Sequence, residues 1–151
     1  QLTNIARDVL EDAEMGRCYL PTTWTGDITP KQIVDCAQHP DSTEAQIITK
    51  SVERLLEMAE RFYISGAKGF SALHWRAHMS IAIAAKVYRQ IGVQLANRKY
   101  IWHEGRQITT RTTKLICSLK AISGLFKRIS RRKHEHNSNL HTSLRGLPYV
   151  S

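Results

Sequence analysis

The 151-residue sequence predicts an all-α fold. Apolar residues recur at spacings of three and four in four segments, and no segment alternates apolar and polar residues over the length of a strand. The 42% of apolar residues, with only 8 glycines and 4 prolines, favours a packed helical domain over a disordered or collagen-like chain. We therefore expect one helical domain over residues 1–129 and a basic, disordered tail over residues 130–151.

Each predicted helix is bounded by residues that start or stop helices. The first stops near Gly16, and Thr29-Pro30 opens the second because proline is tolerated at a first helical position. The intervening residues 22–30 are predicted to be a loop. The predicted helices cover residues 1–14, 30–37, a long segment that ends at Gly66–Gly69, 73–96 and 109–129. Their apolar faces are formed by Val52, Leu55, Leu56, Ala59, Phe62 and Tyr63, then by Ile81, Ala84, Ala85, Tyr88, Ile91, Gly92 and Leu95, and finally by Thr112, Leu115, Leu119, Ile122 and Phe126.

The cysteines and the hydropathy exclude several classes of protein. Three widely spaced cysteines without C-x-x-C spacing argue against a disulfide framework or a zinc site and indicate a reducing compartment. No apolar run approaches the roughly 20 residues of a spanning helix, and the N-terminus lacks the pattern of a signal peptide. We expect a cytoplasmic protein.

Charge is unevenly distributed along the chain. Residues 1–60 contain 5 Lys/Arg and 11 Asp/Glu, whereas residues 61–151 contain 17 and 2. The basic half could bind an anionic ligand, a nucleic acid or an anionic lipid, or the asymmetry could be intramolecular or simply solvated.

The first helix concentrates side chains that could bind a metal. At about 100° per residue, one arc holds amides and carboxylates, namely Gln1, Asn4, Asp8 and Asp12. Two carboxylates at i and i+4, with an amide one turn earlier, supply the oxygen ligands that Mg²⁺ prefers. A solvated acidic face is the alternative. The opposite arc, expected to be wetter, holds Arg7, Glu11 and Glu14, and Arg7 and Glu11 have the spacing of a helical ion pair.

The run QLTNIARDVLEDAEMGRCYLP, Gln1 to Pro21, resembles the second aspartate-rich motif of the squalene and phytoene synthase family. The resemblance continues as far as Phe126, and the sequence is most similar to bacterial phytoene synthases. Further segments that resemble the family follow in the same order, namely Phe62–Ser65, Arg76, Ala84–Gly92, Tyr100 and Gly105-Arg106. The first aspartate-rich motif of the family has no counterpart here. We therefore expect a C-terminal fragment of a longer enzyme, poorly folded and inactive alone.

The resemblance implies an isoprenoid-synthase helical bundle and a Mg²⁺-dependent prenyltransferase, with Mn²⁺ as a substitute. Its reaction would join two geranylgeranyl diphosphates into phytoene through a cyclopropyl diphosphate. By the same resemblance, Asn4, Asp8 and Asp12 are metal ligands, with Asp8, Asp12 and Tyr88 catalytic. The implied substrate-binding residues are Gln1, Arg7, Tyr19, Tyr88 and Arg106. Alternatives are a squalene or diapophytoene synthase acting on farnesyl diphosphate, and a noncatalytic helical assembly protein. For Tyr88, simple core packing is a further alternative.

The basic C-terminal half suggests one partner and argues against others. Residues 109–133 combine apolar positions with Lys and Arg, which predicts peripheral attachment to an anionic membrane. His134 and His136 lie in a basic tail without a ligand set, so we expect no metal there. We expect no nucleic acid, because no reading motif is visible, and no nicotinamide cofactor, because no G-x-G-x-x-G follows a strand. The oligomeric state is open.

Overall fold

A computed structural model describes residues 1–104, Thr112, residues 116–119, residues 139–140 and Thr142. The helices are α1 (Leu2–Arg7), α2 (Val9–Glu14), α3 (Thr22–Thr25), α4 (Pro30–Ala37), α5 (Thr43–Gly69) and α6 (Trp75–Asn97), with a 3₁₀ turn at Phe70–Ala72. No strand occurs in these residues, which confirms the all-α prediction. Among them, no helix is both long enough and apolar enough to cross a bilayer.

The predicted first helix is two short helices that meet at Asp8. This residue has φ −102° and ψ 20°, outside the helical range. The hydrogen-bond ladder nevertheless continues, since the Asp8 amide donates to the Asn4 carbonyl at 2.9 Å and the Asp12 amide donates to the Asp8 carbonyl at 2.8 Å. Aspartate favours caps and turns over helix interiors, which accounts for a bend at this position.

Local capping sets the boundaries of α4 and α5. Thr29 and Gln32 form a capping box at the start of α4, as Thr29-Pro30 predicted. Ser42 accepts a hydrogen bond from the Ala45 amide at 3.2 Å, and this begins α5. The expected loop over residues 22–30 is wrong in part, because α3 occupies Thr22–Thr25 after the extended Pro21.

The core lies where α1 packs between α5 and α6 and where α2 packs on α4. Its buried residues are Ala6, Val9, Ala13, Leu20, Ile33, Ala45, Ile48, Val52, Leu55, Leu56, Leu95 and Trp102. Trp102 follows α6 and is 1% exposed, and its indole N–H donates to Thr49 Oγ1 at 3.2 Å. The chain turns back to this position through Lys99 and Tyr100, both with positive φ.

The apolar face of α6 is buried only in its C-terminal half. Ile91, Gly92 and Leu95 are buried, whereas Ile81 and Tyr88 are 45% and 42% exposed. An alanine Cβ at position 92 would lie 3.2 Å from a Leu56 methyl and 3.7 Å from Thr3, so the small residue permits close helix approach.

Helix α1 has six residues and spans about 9 Å, so it is too short to cover the 23 residues of α6. Other positions expected in the core are also exposed, and those predictions are wrong. Phe62 on α5 is also 43% exposed. In the predicted last helix, Thr112 and residues 116–119 are helical, but Thr112 is exposed and Leu119 is 59% exposed, while Cys117 is buried. Leu115, Ile122, Phe126 and almost all of the predicted tail lie outside the described residues.

Candidate functional site

The metal-binding arc predicted from the sequence lies along one side of α1 and α2. The continuous hydrogen-bond ladder places Asn4, Asp8 and Asp12 on consecutive turns. Gln1 caps this segment, because its carbonyl accepts the amide hydrogens of Asn4 and Ile5, and its side chain is exposed. The neighbouring apolar arc faces the core, where Ala6, Val9 and Ala13 are buried.

Arg7 donates two parallel hydrogen bonds to the carboxylate of Asp8. Arg7 Nε donates to Asp8 Oδ1 at 2.6 Å, and Arg7 Nη2 donates to Asp8 Oδ2 at 2.5 Å. The side chains are only 10% and 20% exposed, respectively. Hydrogen bonding to Asp8 raises the pKa of Arg7, against the opposing effect of burial, and the charge of Asp8 adds to the rise. Such fork-to-fork pairs fix geometry as well as charge.

The expectation that Arg7 and Glu11 lie on a wet arc is wrong. Because α1 packs between α5 and α6, Arg7 is largely enclosed, and Glu11 Oε2 is buried without a hydrogen-bond partner. The alternative pair of Arg7 with Glu11 is also not the one formed, since the bend at Asp8 brings that carboxylate to Arg7 instead. Glu14 is exposed, as expected.

Two observations test whether this arc suits a divalent cation. Asn4 Oδ1 is buried and has no hydrogen-bond partner, so one oxygen of the arc predicted to bind a metal is without a donor. Burial, and then the charge of Asp8, raises the pKa of Asp12, which indicates two carboxylates that repel each other in the absence of a cation. A cation would give Asn4 Oδ1 a partner and would reduce the repulsion between the two carboxylates, so these oxygen donors fit Mg²⁺.

The donors would be two carboxylates and one amide. Within the described part of the chain, no group of three or more His, Cys, Asp or Glu residues could hold a metal. A cation bound only by Asn4, Asp8 and Asp12 would keep coordination positions open for phosphate and water.

The two predicted tyrosines lie on different elements. Tyr19 is 53% exposed and lines a small cavity together with Asp12 and Arg17. Tyr88 on α6 lies near enough to Arg7 to contribute to the rise of its pKa. Because Tyr88 is 42% exposed, the core-packing alternative is wrong. Arg106 lies outside the described residues.

Sequence reasoning missed a contact that joins α1 to α5. The hydroxyl of Tyr63 on α5 lies 2.9 Å from Thr3 Oγ1, and Thr3 is 2% exposed. Both residues also line an apolar groove of about 460 Å³ between α1, α5 and α6. The only available signal was a threonine next to Asn4 and a tyrosine on the apolar face of α5, and neither specifies its partner.

The family model described as "Squalene/phytoene synthase" matches residues 1–114. This chain belongs to the squalene/phytoene synthase family. It is 40% identical over 126 residues to a 15-cis-phytoene synthase of Enterobacter agglomerans, a match that covers 82% of this chain and 40% of that relative. It is 36% identical over 121 residues to a 15-cis-phytoene synthase of Pantoea ananas, covering 80% of this chain and 38% of the relative.

A phytoene synthase of Rhodobacter capsulatus is 38% identical to this chain over 115 residues. The match covers 76% of this chain and 33% of the relative. The chain thus spans about 40% or less of the length of these relatives. No solved structure matches. The resemblance of Gln1–Pro21 and of the further segments to this family is confirmed.

Proposed function

We propose that this chain is part of a phytoene synthase, which joins two geranylgeranyl diphosphates head to head in a Mg²⁺-dependent reaction. Membership of the family implies a prenyl diphosphate substrate and a metal dependence in general. The assignment to phytoene is supported by three relatives that are 35–40% identical and are named as phytoene synthases. The observation that carries the proposal is the placement of Asn4, Asp8 and Asp12 on consecutive turns, with Asn4 Oδ1 buried and unpartnered.

In this proposal, Asn4, Asp8 and Asp12 hold Mg²⁺, which stabilises the negative charge that develops on the departing diphosphate. Arg7 and Gln1 lie next to these ligands and bind diphosphate oxygens. The guanidinium of Arg7 suits this task, because its planar fork matches phosphate oxygens as well as carboxylate oxygens.

The aromatic and apolar residues would protect the allylic cation. The phenols of Tyr19 and Tyr88 donate hydrogen bonds to phosphate, and an aromatic face tolerates a nearby carbocation. Exposed apolar residues on α6, such as Ile81, provide surface that excludes water from the cation. The double bond of the second substrate captures the cation, and loss of a proton closes the ring of the cyclopropyl diphosphate. Departure of the second diphosphate, rearrangement of the carbon skeleton and loss of another proton then give phytoene.

A chimera tests this proposal. This chain replaces the matched segment of the Enterobacter agglomerans enzyme, and the purified chimera is incubated with Mg²⁺ and either geranylgeranyl or farnesyl diphosphate. We expect phytoene from geranylgeranyl diphosphate as the main product. A C30 product from farnesyl diphosphate alone would support the squalene or diapophytoene alternative. A chimera of native helix content that yields neither product would contradict a catalytic role.

We also propose that the C-terminal part attaches peripherally to anionic membranes at the cytoplasmic face. Ile116 and Leu119 are 47% and 59% exposed, which leaves apolar side chains available to lipid. The surrounding sequence is rich in Lys and Arg, and each basic residue near an anionic lipid surface contributes about 1 kcal/mol. A water-insoluble product would then leave the enzyme directly into lipid.

A further inference from the structure

The guanidinium of Arg7 holds both carboxylate oxygens of Asp8. It contacts them at 2.6 and 2.5 Å, from a side chain that is 10% exposed. Each carboxylate oxygen has a second lone pair, but a guanidinium and a divalent cation on one carboxylate repel each other. Asp8 should therefore bind a cation more tightly when Arg7 moves away.

Glu11 offers a second partner for Arg7 on the same helical segment. It lies four residues after Arg7, a spacing at which side chains on a helix meet, and its charge already helps to raise the pKa of Arg7. Glu11 Oε2 is buried and accepts no hydrogen bond, and a buried carboxylate oxygen in that condition is costly. Two carboxylates, those of Asp8 and Glu11, could therefore pair with the guanidinium of Arg7.

We propose that Arg7 is a two-position latch that pairs with Asp8 in the cation-free protein and with Glu11 when a divalent cation binds Asp8. The proposal rests on the assignment of Asp8 as a metal ligand in the proposed function. Pairing with Glu11 uses at most two of the five N–H donors of Arg7 and leaves the others for a diphosphate. Cation binding would therefore prepare Arg7 to bind the diphosphate.

The test measures Mn²⁺ binding to the chimera described above by electron paramagnetic resonance, without any prenyl diphosphate. Each variant is compared with the parent chimera, so that Mn²⁺ bound by the rest of the enzyme is common to all. Arg7→Gln removes the competitor at Asp8 and is expected to tighten binding at least about fivefold, since even an exposed ion pair can contribute that much. Arg7→Lys, which cannot grip both oxygens, is expected to tighten it less. Arg89→Gln is the matched control, because it breaks a similar two-bond pair with Glu60 on α5 and α6 and is expected to leave Mn²⁺ affinity unchanged.

Glu11 is tested in two backgrounds. Glu11→Gln removes the second position and is expected to weaken Mn²⁺ binding in the parent chimera, but to have a much smaller effect when Arg7 is already Gln. An equal loss in both backgrounds would show that Glu11 acts on the cation without Arg7, and would overturn the latch.

Two further outcomes also overturn the latch. They are unchanged or weaker Mn²⁺ binding in a helical Arg7→Gln chimera, and no Mn²⁺ binding in any variant. The proposed function is judged separately by the products of the chimera. A chimera that makes phytoene while Arg7→Gln fails to tighten Mn²⁺ binding would reject the latch and retain the enzyme.

Discussion

Tyr63→Phe is expected to lower the free energy of unfolding by about 1–2 kcal/mol, because it leaves the buried hydroxyl of Thr3 without its partner. The two oxygens lie 2.9 Å apart, and Thr3 is 2% exposed. Thr3→Val removes the other partner and is expected to cost about as much. Replacing both partners with apolar groups of similar shape leaves no unpaired polar atom, so the double variant should lose no more than the costlier single variant.

The assay is urea unfolding followed by far-ultraviolet circular dichroism, on the parent chimera, both single variants and the double variant. The four free energies give a coupling between Thr3 and Tyr63, which we expect to be about 1 kcal/mol. Thr23→Val on the exposed side of α3 is the control and should change stability by less than about 0.5 kcal/mol. Strictly additive single effects would refute the hydrogen bond as the link between α1 and α5.

Three further changes have defined outcomes. Burial and the charge of Asp8 raise the pKa of Asp12, so the folded state binds the proton of Asp12 more tightly than the unfolded state does. The free energy of unfolding should therefore fall as pH rises above the ordinary carboxyl pKa of about 4. Asp12→Asn should flatten this pH dependence in thermal unfolding and raise Tm at neutral pH. Trp102→Phe should cost about 1–2 kcal/mol in urea unfolding, through lost volume and the lost bond to Thr49, and an unchanged midpoint would contradict its role in the core. Deletion of residues 130–151 should weaken cosedimentation with anionic vesicles at low salt, and binding that survives both deletion and high salt would contradict electrostatic attachment.

Local signals made much of the fold predictable. Thr29-Pro30 begins α4 through contacts within four residues, and the glycines near Gly69 end α5 at the expected place. The bend at Asp8 was not predictable, because a helical wheel assumes a uniform rotation per residue. Trp102 gave no signal either, since it lies in a nonperiodic segment and is buried only because the chain turns back after α6.

The candidate site divides in the same way. The spacing of Asn4, Asp8 and Asp12 is a property of one helical segment, so the sequence alone predicts that they lie on consecutive turns, as the hydrogen-bond ladder has them. The position of Tyr88 near Arg7 depends on how α6 packs against α1, which periodicity does not specify. The pairing of Arg7 with Asp8 follows from the bend at Asp8 and from the packing of α1 between α5 and α6. The sequence pattern predicted neither the bend nor this packing.

The assignment of Asp8 and Asp12 as Mg²⁺ ligands is tested most directly by the Mg²⁺ dependence of phytoene formation. Three separate variants of the chimera are compared with the parent: Asp8→Asn, Asp12→Asn and Glu14→Gln. Glu14 is an exposed acid on the same segment and serves as the control. We predict that each aspartate variant keeps its helix content and loses at least about 100-fold in turnover, because the charge of the departing diphosphate is no longer stabilised, while Glu14→Gln stays within about twofold of the parent, as expected of a surface change. Parental rates in both aspartate variants at limiting Mg²⁺ would contradict the assignment of this motif as the metal site.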